Sequence, residues 1–156
     1  MNKTNALRKL DEAGISYQLR QYPVDESDLS GQHVAEVLGE DPQQIFKTLV
    51  CRDEKNAHFV FCIPVNEELD LKKCAAACGS KRVEMIPLKE LLPLTGYLRG
   101  GCSPVGMKKP FPTFMDETAI LFDAVYLSAG QRGLQMLVDP QQLMAWLNGR
   151  FAELTR

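Results

Sequence analysis

Apolar and polar positions alternate between two periods along this chain, and the switches between them mark its elements. The amphipathic segment after the N-terminus predicts a helix over Thr4–Ala13, with Asn2 or Thr4 at its cap and Gly14 at its end. Ser16–Tyr22 alternates as a strand and stops at Pro23; Ser30–Leu38 predicts a short helix closed by Gly39. Two strands, Ile45–Cys51 and His58–Val65, flank the turn Asp53–Asn56 and are expected to pair as a hairpin. A helix over Leu71–Cys78 ends at Gly79, followed by a short strand at Arg82–Met85 and a helical turn at Leu88–Leu92. Strands are expected near Ala119–Phe122, Ala124–Ser128 and Leu134–Val138, then a helix from Pro140 to Leu147 and a last segment reaching Leu154. This mixture predicts an α/β (mixed α+β) fold: a twisted mixed sheet closed into a rough barrel and flanked by helices.

One residue breaks the strand pattern. In Ile45–Val50 the period of two puts Lys47 on the face shared by Ile45 and Leu49. A lysine there either guards an edge strand against aggregation or enters a pocket, where its ammonium can hold a phosphate or a developing oxyanion. The pattern alone admits both.

Between Thr95 and Lys109 the periodicity disappears. Gly96, Gly100, Gly101, Pro104 and Gly106 suit neither helix nor strand and mark a shaped loop. Its glycines let backbone N–H groups converge on an anion, and Arg99, Lys108 and Lys109 add full charge. A plain turn with solvated lysines is the simpler alternative.

Composition changes this picture little, whereas the charge distribution changes it more. The chain has 156 residues, 45% hydrophobic and 24% charged, as expected of a single globular domain over 1–156. Neither a signal-peptide core nor an apolar run near the ~18 residues of a membrane span is present, so a cytoplasmic protein without membrane contact is expected. The net charge of −2 conceals a net +6 between Lys72 and Lys109 and −8 elsewhere. One region is therefore suited to a brief, oriented encounter with a polyanion. The five cysteines have no zinc-type spacing, and neither metal nor cofactor is expected. Cys102 lies in the glycine loop without a nearby histidine in sequence, which favours a packing role over nucleophilic catalysis.

IFKTLV around Lys47, ELDLKK from Glu68, KRVEM from Lys81, TGYLRGGCSPVGMKK from Thr95 and YLSAGQRGL from Tyr126 occur in an order that resembles the YbaK/EbsC group of aminoacyl-tRNA deacylases. These are free-standing relatives of the editing insertion domain of bacterial prolyl-tRNA synthetase. The resemblance spans about Leu10 to Leu143. It implies a pocket for the 3′ end of a mischarged tRNA, most often proline tRNA carrying cysteine, with transient contact to prolyl-tRNA synthetase. It also implies that the substrate thiol attacks its own ester and leaves as a thiolactone. By position it makes Lys47 the essential lysine and places Tyr22, Ser30, Gly100, Gly101, Ser128 and Gln135 at the substrate. Arg99, Lys108 and Lys109 are expected to meet tRNA. Two positions depart from the cysteinyl-specific pattern: Leu29-Ser30 stands where those enzymes carry Phe before the second helix, and Gln135 where they carry Asp. Hydrolysis of alanyl or another small aminoacyl group, and tRNA or nucleotide binding without turnover, are the alternatives.

Overall fold

The computed structural model describes residues 3–156. Helix α1 (Asn5–Ala13) is capped by Thr4, whose hydroxyl accepts from the Leu7 N–H, and ends at Gly14; Asn2, the other expected cap, lies outside the described residues. Its buried residues Ala6, Leu7 and Leu10, the last one turn beyond the first two, share a face that enters the main core. Strand β1 (Gln18–Gln21) follows, then α2 (Gly31–Leu38), capped by Ser30 and closed at Gly39.

The expected hairpin is present. β2 (Phe46–Asp53) and β3 (His58–Pro64) are antiparallel in a register that sets Lys47 opposite Ile63. The turn closes through the Asp53 N–H to the Ala57 carbonyl, with Asn56 at a φ of 62°. Helix α3 (Leu71–Cys78) covers one face of this hairpin, and β4 (Val83–Met85) pairs only with the end of β2, Cys51–Asp53. Then come α4 (Leu91–Thr95) and the glycine loop, β5 (Thr113–Asp116), β6 (Val125–Gln131), β7 (Leu134–Val138), α5 (Pro140–Leu147) and β8 (Arg150–Ala152).

The strands form two sheets, of order β1-β7-β6 and β4-β2-β3-β5-β8. Neither closes, which corrects the expected barrel. Among the described residues the sheets are joined by a single parallel bridge, Ile45 to Tyr126. A barrel needs a continuous ladder around its circumference, and here the outer edge of β2 carries that bridge at one end and β4 from Cys51 at the other. Among the described residues no strand is laddered onto the intervening residues on that side. The interruption matters because a cavity opens there.

One further expectation is corrected. Ala119–Phe122 is not a strand: Glu117–Leu121 forms a 3-10 turn in which Asp116 accepts from the Thr118 N–H, and Ile120 and Leu121 remain exposed. The central strand of that region is β5 instead, whose four residues are all buried. Asp116 at its end is buried yet satisfied, accepting from the Leu154 N–H at 3.0 Å. That contact also fixes the C-terminal segment containing β8, which pairs parallel to β5.

Candidate functional site

A cavity of about 610 Å³ lies against β2 where the ladder is interrupted. Residues 45–50 line it, with the start of α2, the segment from Met85 to Leu91, the glycine loop and the β6–β7 pair around it. Lys47 reaches it half-buried. Burial pushes its pKa below the ordinary lysine value of 10.5, while Glu68 and Glu67 pull it partly back. Lys47 appears in no hydrogen bond or ion pair among the described residues. Its desolvation is thus only partly offset by the protein, the condition in which a cation gains most from an incoming anionic or oxyanionic group.

Helix α2 presents its N-terminus to the same space. The Ser30 hydroxyl lines the cavity but accepts from the His33 N–H at 3.2 Å, so its oxygen already serves the cap. Gly31 lets the helix approach β3: a Cβ there would lie 2.4 Å from Val65 Cγ1. The sequence offered no sign of this, because the contact is with a residue distant in the chain.

The glycine loop is shaped by its neighbours more than by a ligand. Gly100 lines the cavity at a φ of +87°, a conformation L side chains rarely adopt. Gly101 lies behind it against the β6–β7 turn; a Cβ there would meet the Arg132 nitrogen at 3.0 Å. Its N–H donates to the Leu98 carbonyl, so this donor does not point at an anion as the sequence suggested. Arg132 Nε ties the loop down by donating to the Arg99 carbonyl at 2.8 Å. Arg99 is exposed at the cavity mouth. Lys108 and Lys109 are exposed on the returning limb and do not line the cavity.

Ser128 and Gln135 are cross-strand partners on β6 and β7, and both line the cavity. The Ser128 hydroxyl accepts from the Gly130 N–H. Gln135 is only 5% exposed, and its Oε1 has no hydrogen-bond partner among the described residues. A buried acceptor in that state is stabilised only when a donor arrives. Tyr22 does not line the cavity; it packs, partly buried, against the cluster that contains Val34 and Tyr126, and its N–H donates to the Gly133 carbonyl.

Cys102 also faces the cavity, buried, its thiol pushed up to about 12 by burial. At neutral pH it is a protonated packing residue. None of the lining residues is His, Asp or Glu. A second cavity, of about 350 Å³ beside the hairpin turn, is lined by charged residues, of which Arg52 and Glu84 pair at 2.9 Å.

The aminoacyl-tRNA editing domain model matches residues 28–145, which includes every lining residue of the larger cavity. The chain belongs to that family. It is 48% identical over 153 residues to the EbsC protein of Enterococcus faecalis, proposed to be a Cys-tRNA(Pro)/Cys-tRNA(Cys) deacylase, covering 98% of this chain and 93% of that one. A solved structure of a proposed trans-editing enzyme for prolyl-tRNA synthetase superposes with a TM-score of 0.84 at 26% identity, covering 100% of this chain and 99% of that one. A hypothetical protein of solved structure, 20% identical, shares the fold with a TM-score of 0.89 over 98% of this chain and 100% of its own.

Proposed function

We propose that this editing-family chain is a free-standing, single-domain deacylase that removes cysteine from mischarged proline tRNA by using the substrate's own thiol. The observation that carries this reading is the composition of the cavity. It offers a half-buried cation, Lys47, and an unpartnered buried acceptor, Gln135, but no His, Asp or Glu to activate water. Burial keeps the Cys102 thiol protonated, so it offers no thiolate nucleophile at neutral pH. A reaction that brings its own nucleophile needs from the protein only positioning and charge stabilisation.

The step balances within the substrate. The cysteinyl sulfur attacks the ester carbonyl carbon, forming a C–S bond while the bond from that carbon to the ribose oxygen breaks. The thiol proton ends on the departing ribose hydroxyl, and cysteine leaves as a cyclic thiolactone. Lys47 faces the carbonyl oxygen as it gains negative charge, and Gln135 Oε1 accepts from the substrate amino group. Ser30, Ser128 and Gly100 shape the space around the aminoacyl group. Tyr22 and Gly101 act one layer back, holding α2 and the loop in place. Arg99, Lys108 and Lys109 meet phosphates of the acceptor end. On the strength of the family resemblance, the enzyme works in the cytoplasm beside prolyl-tRNA synthetase.

The test is a panel of cysteinyl, alanyl and seryl esters on proline tRNA with identification of the released product. Rapid clearance of the cysteinyl ester alone, with thiolactone as product, is expected. Equal clearance of the alanyl ester, which has no thiol, would sink the mechanism and favour hydrolysis.

A further inference from the structure

The cavity has two unlike halves. Lys47, Ser128 and Gln135 make one of them polar, whereas Met85, Ile86, Leu88 and Leu91 make the other an aliphatic wall. Met85 and Leu88 are 50% and 60% exposed. A singly exposed leucine is ordinary, but several fixed together along a cavity mark a contact surface. These are fixed: the Ile86 N–H donates to the Val50 carbonyl at 3.2 Å, and Glu90 pairs with Arg52 of β2 at 3.5 Å.

The cavity's volume of about 610 Å³ lies in the range of roughly 300–1,000 Å³ that holds ligands of drug size. A cysteinyl group fills only a small part of that. Resting on the deacylase reading, we infer that the aliphatic wall receives the adenine base that ends the tRNA, laid face-on against Met85 and Leu88. A thioether makes favourable contact with an aromatic ring, and a leucine side chain against the same ring removes apolar surface from water. The spacing suits this. Lys47 lies three residues along β2 from Val50, which anchors the wall, and three extended residues span roughly 10 Å. A ribose bridges that interval, with its ester on one side and its base on the other. Arg99 at the mouth is then placed for the phosphate on the same nucleoside.

The test titrates methyl-labelled protein with adenosine 5′-monophosphate, which carries base and phosphate but no aminoacyl group. The Met85, Leu88 and Leu91 methyl signals are expected to shift saturably, and cytidine 5′-monophosphate to bind more weakly. Leu88→Glu should weaken adenosine 5′-monophosphate binding at least ~5-fold, because it replaces an apolar contact with a charge that burial under the base would penalise. Leu88 is exposed, and an unchanged amide spectrum away from the wall shows that the variant is folded. Unmoved wall methyls, equal binding of the cytidine nucleotide, or undiminished affinity in Leu88→Glu would overturn the inference. The nucleotide is not a substrate, so this outcome is separate from the deacylation assay. Base binding without deacylation defeats only the deacylase reading, and deacylation without base binding at the wall defeats only this one.

Discussion

Lys47 and Lys73 are two lysines in opposite states. Lys73 lies near the start of α3, where its ammonium donates to Glu153 and to the Thr155 carbonyl, each at 2.7 Å. Its bond with Glu153 raises its pKa. Lys47 enters a cavity without such a partner, and burial lowers its pKa. Both belong to short motifs on which the sequence resemblance rests, and the motif by itself does not separate them. The surroundings do: one charge fastens the C-terminal segment to α3, while the other is left for a ligand. The same distinction dissects the +6 stretch from Lys72 to Lys109. Lys73 within it is already engaged, whereas Arg99, Lys108 and Lys109 are exposed.

The largest expected difference between the two lysines is catalytic. Lys47→Ala should lower deacylation of cysteinyl-tRNA at least ~100-fold, as losing a preorganised electrostatic donor does. Its circular dichroism and melting curve should remain near wild type. Lys73→Ala should leave the rate within about twofold and lower the melting temperature slightly, as exposed ion pairs contribute little. Comparable rate losses in the two variants would erase the comparison.

A smaller effect is expected where charge meets the tRNA body. Replacing Lys108 and Lys109 together should raise KM for tRNA and reduce the slope of log affinity against log salt by about 1 to 2. An aminoacyl-nucleoside without the stem should be affected much less. Equal losses on both substrates would place these lysines in the catalytic pocket. The smallest effect concerns Cys102. With its thiol at about 12, Cys102→Ala should leave the rate within a few-fold, measured on the same ester. An acyl adduct trapped on Cys102 would replace the proposed mechanism with covalent catalysis.

Much of the architecture could be read from local signals. Helices α1, α2, α3 and α5 lie within a residue of the spans read from caps and apolar spacing, and the β2–β3 hairpin follows from alternation around its turn. β5 escaped because Phe114 and Met115 sit between Thr113 and Asp116, polar residues that are nonetheless buried, Thr113 donating to the nearby Phe111 carbonyl and Asp116 accepting from the distant Leu154 N–H. Ile120 and Leu121 misled in the opposite sense, as apolar residues left in water. The barrel was an inference about how sheets close, and closure depends on long-range pairing that no local period encodes.

The cavity was legible in part. Lys47, Ser30, Arg99, Gly100, Ser128 and Gln135 all line it, having been singled out by pattern or resemblance. The aliphatic wall was not foreseen, since Met85 and Leu88 resemble any other exposed apolar residues until the fold sets them side by side. Gly31 gave no signal because its constraint is imposed by Val65 across the chain. Gly101 was recognised as special for a different reason from the one found, which is close backbone approach to Arg132.

Linkage gives the two lysines opposite signatures with pH. Between the lowered pKa of Lys47 and 10.5 the unfolded chain binds more protons at that site, so its contribution to stability rises with pH there. The contribution of Lys73 is fully present below 10.5 and is lost as pH rises through its elevated pKa. Side-chain NMR titration of both ammonium groups in one sample is the most direct measurement of the claim that one charge is reserved and the other engaged. The expected result is a Lys47 midpoint below 10.5 and a Lys73 midpoint above it. Midpoints that coincide, or a Lys47 midpoint at or above 10.5, would contradict the account.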